Sequence, residues 1–306
     1  MWCVRHSALL TPLSCGHLHR TLALILSSAH CRQTAIAGAI DLRCYCLAEA
    51  RADGLLSLVL PDMAYSQTWD PASLPWDKVA PFPPPLSSVL KSGPKGDFVP
   101  DHELLTLLAN QYITRDVAAG EQGLKAVQSA QAFLYLYMHV ASVTGLRPAQ
   151  TYTIRAGLPV SAGLGSSAAF SVSVSSALLY SHGVLPVPAP SSPSSGEVVP
   201  EHAHLVNAWA FVAEKVLHGN PSGVDNTVSA LGGAIAYRRA ISGRQEQSLK
   251  SLKGFDEIPF LITDTKVPRD TKTLVAGVAR RKLEVSSRVF GLECLTVVWL
   301  RCADAV

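Results

Sequence analysis

No apolar run in this 306-residue chain approaches the roughly 18 to 20 residues of a membrane-spanning helix, so no such span is expected. An excess of one charge is also missing. The 26 basic and 23 acidic residues leave a net charge of +3, and no basic run carries interleaved aromatics, which argues against nucleic-acid binding. Acidic residues are absent before Asp41, and residues 1–34 contain no lysine. The seven cysteines cannot all pair, and five of them fall within the first 46 residues. Cys44 and Cys46 stand two apart, and no second pair follows at zinc-site spacing. A disulfide framework would suit a small, loop-rich secreted chain, so reduced thiols and a cytosolic setting are expected. What is plentiful is apolar content, at 48% against 16% charged, enough for a globular core.

Residues 1–34, with Arg5, Arg20 and Arg32 among histidines and serines, form an atypical N-terminal segment. Its composition fits a targeting presequence in kind, but the apolar run 22–26 is short for a secretory signal. A variant first exon without an address is the preferred account. From Ala35 the pattern becomes domain-like. Residues 35–50 read as a strand, Asp53-Gly54 as a turn and 55–60 as a second strand. Residues 82–96 and 186–200, dense in proline, serine and glycine, read as surface connections. Apolar spacing through Val127, Leu134, Met138 and Ala141 predicts a helix over 125–142, and 151–156 alternates like a strand. Strands and helices mix without regular βαβ alternation, which points to an α+β fold.

The run Ser161, Ala162, Gly163, Leu164, Gly165, Ser166, Ser167 follows that strand and precedes a helical stretch, 168–182. The glycines permit close backbone approach, and a serine at the helix start can cap it. A helix N-terminus behind a glycine turn attracts phosphate through unpaired N–H groups and the helix dipole, and a serine hydroxyl there can ligate Mg²⁺. A dinucleotide fingerprint fits formally, yet it wants an acid about 20 residues on, and the first is Glu197, well past that distance. A Walker-type loop fails for want of Gly-Lys-Ser/Thr. A plain small-residue turn remains an alternative to phosphate binding.

Farther on, 205–217 reads as a helix with Leu205, Trp209, Val212 and Val216 on one stripe. Glu214 lies nine residues from Leu205, which at 100° per residue puts it on the opposite face. Taken alone, a solvated helix face is the preferred account of that glutamate. The turn-rich loop 218–226 comes next and can hold Asp225 at the edge of a cleft. A strand-like stretch, 227–238, completes the segment.

The two loops, 161–169 and 218–226, resemble those of the GHMP kinase superfamily. The run 132–137, Asn207-Ala-Trp-Ala-Phe211 and the stretch 264–278 are similar to the mevalonate kinase family within it, over about residues 35–282. The resemblance implies a GHMP kinase fold: a ribosomal-S5-like, ATP-binding domain over 35–250 and a partial ferredoxin-like domain over 251–306. It implies transfer of the γ-phosphoryl group of ATP to the 5-hydroxyl of mevalonate. By the family pattern, Ser161, Ala162, Gly163, Leu164, Gly165, Ser166 and Ser167 embrace the triphosphate. Ser167 and Glu214 hold Mg²⁺. Asp225 is catalytic, accepting or orienting the acceptor hydroxyl, and Arg269 and Thr271 lie at the mevalonate site. His218 and Ser222 are expected to shape the loop. Phe170 stands where the family often has tyrosine. A homodimer is expected by the same resemblance. Other GHMP kinases, acting on phosphomevalonate, homoserine or a sugar, and a non-catalytic nucleotide-binding protein are the alternatives.

Two family elements are not found. Residues 1–34 lack the Pro-Gly-Lys segment whose lysine stands beside the catalytic aspartate, and the glycine-rich loop of the second domain is absent. An open sheet edge and weak or no activity are therefore expected.

Overall fold

The computed structural model describes residues 2–5, 20–21, 35–80, 86–94, 98–114, 120–158, 164–186, 200–238 and 248–252. The expectations for 187–199, for 161–163 and for the stretch 264–278 lie outside them.

The strand expected over 35–50 is two strands in two sheets. With β1 (Trp2–Arg5) and β2 (Arg20–Thr21) preceding them, they are β3 (Ala35–Gly38) and β4 (Leu42–Ala50). The ladder of β3 with β8 ends on the bond that Ala39 donates to the Gly233 carbonyl at 2.7 Å, and β4 starts three residues on in the other sheet. Four further strands follow: β5 (Leu56–Leu60), β6 (Tyr65–Trp69), β7 (Gln150–Ala156) and β8 (Ala234–Arg238). The last is β9 (Ser248–Leu252). The main sheet runs β1-β4-β7-β5-β6, with β2 also on β4, and a small sheet runs β3-β8-β9. β1 pairs parallel with Cys46 to Glu49, and β2 antiparallel with Leu42 and Arg43. β4 is thus paired along both halves, by β1 and β2, and the order of the main sheet ends on β1 and β6.

Period-two alternation turns Cys44, Cys46 and Ala48 of β4, and Tyr152 and Ile154 of β7, inward. Of the helices α1 (Leu86–Ser92), α2 (His102–Leu107), α3 (Glu121–Thr144), α4 (Ser166–Ser181), α5 (Pro200–His218) and α6 (Val224–Leu231), α3 and α4 meet this face and α5 packs behind them. The connection expected over 82–96 therefore contains a short helix, α1. α3 starts earlier than its apolar spacing implied and stops at Gly145, whose left-handed φ of 73° only glycine adopts freely. Every residue from Ala132 to Val140 is buried. Over this stretch α3 buries its whole circumference rather than one apolar stripe, with Phe133 stacked on Trp69 and tilted against Tyr152. α4 is as deeply placed, between β4, α5 and α6. Its serines and alanines keep it thin enough to fit there. Among the described residues no helix is long and apolar enough to cross a membrane. Cys44 and Cys46 are free, buried thiols, and burial raises the pKa of both.

Candidate active site

The site forms where the starts of α4 and α6 meet the last two turns of α5. Gly165, at φ +71°, takes the cap position of α4, and Ala169 donates to its carbonyl at 3.0 Å. The amides of Ser166, Ser167 and Ala168 therefore lie outside the helical ladder. Neither serine caps the helix, contrary to expectation, because both already stand inside its first turn. The Ser167 hydroxyl lies 3.0 Å from His218 Nε2 instead. Leu164 packs against the main core, and Ser161, Ala162 and Gly163 fall outside the described residues.

Glu214 is buried at 3% exposure, which overturns the solvated-face expectation. The nine-residue offset from Leu205 is correct, but α5 packs against α3, α4 and α6 and has little solvent face here. Ser171 donates to Glu214 Oε1 at 3.0 Å, and His218 Nε2 lies 3.9 Å from Oε2. Burial, and then the charge of Asp225, push the Glu214 pKa up to about 8, while bonds from Ser171 and Ser167 pull it down.

Asp225 belongs to a helix rather than to the loop. Gly223, at φ +79°, turns the chain into α6, and Asp225 sits in its first turn. The strand-like stretch 227–238 is helix up to Leu231, stopped at Gly232, and strand only from Ala234. In the helix Val224 and Val228, four apart, pack on Ala35, Ala37, Ile235 and Tyr237 of the small sheet. Burial raises the Asp225 pKa to about 6. Asp225 Oδ1 is shielded from solvent and has no hydrogen-bond partner among the described residues.

An unpartnered buried carboxylate oxygen beside a second crowded carboxylate is an arrangement that a cation completes. Among the described residues no cluster of three or more His, Cys, Asp or Glu could hold a metal unaided. Mg²⁺, which takes one or two carboxylates together with substrate phosphates, fits such a set. The structure thus brings together Gly165, Ser166, Ser167, Glu214 and Asp225. Arg269 and Thr271 lie outside the described residues. Ser171 and the contact of His218 with Ser167 were not anticipated. Both had a signal in the sequence, since each stands four residues beyond a candidate ligand on the same helix face.

The family model for the GHMP kinases N terminal domain matches residues 126–233, a span that holds both helix starts. A mevalonate kinase of Bos taurus is 36% identical over 253 residues, 82% of this chain and 58% of that protein. One of Homo sapiens is 34% identical over 255 residues, covering 82% and 58%. One of Arabidopsis thaliana is 32% identical over 270 residues, covering 84% and 64%. The chain thus spans less than two thirds of each relative's length. A crystal structure of a Listeria innocua protein has the same fold, with a TM-score of 0.50 and 17% identity over 88% of this chain and 65% of that one.

Proposed function

Because this chain belongs to the GHMP kinase family, we propose that it transfers the γ-phosphoryl group of ATP to the 5-hydroxyl of mevalonate. The observation that carries the reading is Asp225 Oδ1, buried without a partner among the described residues, beside Glu214 and the start of α4. The acceptor hydroxyl would give its proton to the Asp225 carboxylate as its oxygen bonds to the γ-phosphorus. The bond from that phosphorus to the bridging oxygen breaks, and ADP leaves. A base with a pKa near 6 is suited to neutral solution. The free amides at the start of α4 would bind triphosphate oxygens, aided by the helix dipole. Ser167 and Glu214 would hold Mg²⁺, which supplies charge neutralisation at the phosphates when bound. Charge is then met by fixed dipoles and ligands, so catalysis here rests on positioning. Arg269 and Thr271, by family resemblance, would lie at the mevalonate site, where a cation suits the substrate carboxylate. The homodimer, the cytosolic setting and a second domain beginning near residue 251 belong to the same reading.

The test is turnover of purified chain with Mg·ATP and mevalonate, read as 5-phosphomevalonate by phosphorus NMR, with phosphomevalonate, homoserine and a sugar as competing acceptors. Asp225→Asn should lower kcat by about 10²- to 10⁴-fold while Mg·ATP still binds. A low rate still counts if it exceeds that of Asp225→Ala. Product formation equal in the two chains would sink the reading.

A further inference from the structure

Asp225 Oδ1 has no hydrogen-bond partner among the described residues, so the backbone that carries the side chain must set its position. That backbone is gripped from α5. Asn226 Nδ2 donates to Asn207 Oδ1 at 2.7 Å, and Asn207 Nδ2 donates to Thr227 Oγ1 at 3.1 Å. Thr227 Oγ1 in turn donates to the Gly223 carbonyl at 2.6 Å. One amide therefore holds the two residues that follow Asp225 and, through Thr227, the glycine that turns the chain into α6. The donor and acceptor pattern is self-consistent: the threonine hydroxyl, already donating to a carbonyl, is left to accept from the Asn207 nitrogen. Asn226 is 2% exposed, so the exchange takes place away from water, where an apolar pair would pack without the desolvation cost.

Asn207 and Glu214 are seven residues apart in α5, about 10 Å along the axis and within roughly 20° around it. A single helix face thus grips the start of α6 with one residue and presents a candidate metal ligand with the other. We propose that Asn207, acting through Asn226 and Thr227, is a positioning residue that sets where the Asp225 carboxylate stands relative to Glu214. The inference rests on the kinase reading for its consequence in catalysis, and on the hydrogen bonds alone for the grip.

Two measurements on the full chain separate these. The variants are Asn207→Ala, Asn226→Ala and the double variant, with Gln131→Ala as control. Gln131 Nε2 donates to the Leu105 carbonyl at 2.8 Å, a comparable side-chain bond between helices remote from Asp225. In turnover with saturating Mg·ATP, Asn207→Ala should lower kcat by about 10²-fold, the loss that a misplacement near 1 Å produces. KM for the acceptor should move less than threefold, roughly, since only the geometry of transfer is affected. The double variant should lose no more than the worse single one, because the two amides act as a unit. Gln131→Ala should leave kcat unchanged even where it lowers the melting temperature. Rates within about twofold of the unmutated chain for a folded Asn207→Ala would overturn the inference. Amide hydrogen exchange reads the grip without activity: exchange over 223–231 should rise at least tenfold, roughly, in Asn207→Ala, with α3 unchanged. If the unmutated chain has no turnover, the kinase reading fails, and the exchange result alone decides whether Asn207 holds α6. Unchanged exchange there refutes the grip.

Discussion

At the scale of single residues, Ser171 shows how a partner changes the meaning of a carboxylate. Its hydroxyl donates to Glu214 Oε1 at 3.0 Å, with both side chains buried. It lowers a pKa that burial and Asp225 both raise, and so favours the charged form that a cation needs. Ser171→Ala should weaken Mg²⁺ dependence of turnover by about tenfold, the usual cost of losing a group that orients a metal ligand. Titration of the rate with Mg²⁺ at fixed ATP checks this, and an unchanged midpoint would show that Ser171 only fills space. Ser171 was findable from its spacing to Ser167. What spacing could not tell is which of the many serines in α4 faces a carboxylate. Ser173, two residues on, donates to the Phe170 carbonyl and meets Cys44 instead.

At the scale of elements, the small residues set how closely helices approach. Gly93 ends α1 at φ +75°, and a Cβ placed there would stand 2.4 Å from Ala208 Cβ on α5. Gly93→Ala combines a left-handed backbone with overpacking, and should cost about 3 kcal/mol of stability. Urea unfolding should show a lower midpoint with an unchanged slope, and an unchanged midpoint would mean that α1 is free to move off α5. The same close packing explains which helices the sequence disclosed. Helices α3, α4 and α5 announce themselves by length and by apolar spacing. The start of α6 does not, because valine and threonine favour strands locally while Val224 and Val228 need a helix to reach the small sheet together. A short segment with weak local preference follows its contacts.

At the scale of the whole molecule, two buried histidines tie stability to pH. His139 in α3 donates Nδ1–H to the Tyr135 carbonyl at 2.9 Å, and His182 at the end of α4 donates to Leu178 at 2.8 Å. Burial lowers each pKa from 6.5 to about 4. The folded chain thus holds both neutral where the unfolded chain would bind protons. Their contribution is full above about pH 6.5 and is lost as pH falls toward 4, on the order of 3 kcal/mol for each. Glu214 and Asp225, with raised pKa values, run the other way: what they contribute is present at low pH and is lost as pH rises through about 6 and 8. The histidine effect is therefore read as a difference. Between pH 7 and 4.5 the unmutated chain should lose more unfolding free energy than a His139→Gln, His182→Gln double variant. Parallel curves would contradict neutral burial. On this scale, too, the division between sequence and structure is clear. Sequence by itself determined the α+β mixture and the glycine turns at Gly165 and Gly223, and it offered the candidate residues beside them, because turn chemistry and helical spacing are local. Only the tertiary structure decided that Glu214 is buried, that Asp225 opens a helix, and that Asn207 reaches across to hold it. Burial and alignment depend on which elements surround a residue, and no local pattern carries that information.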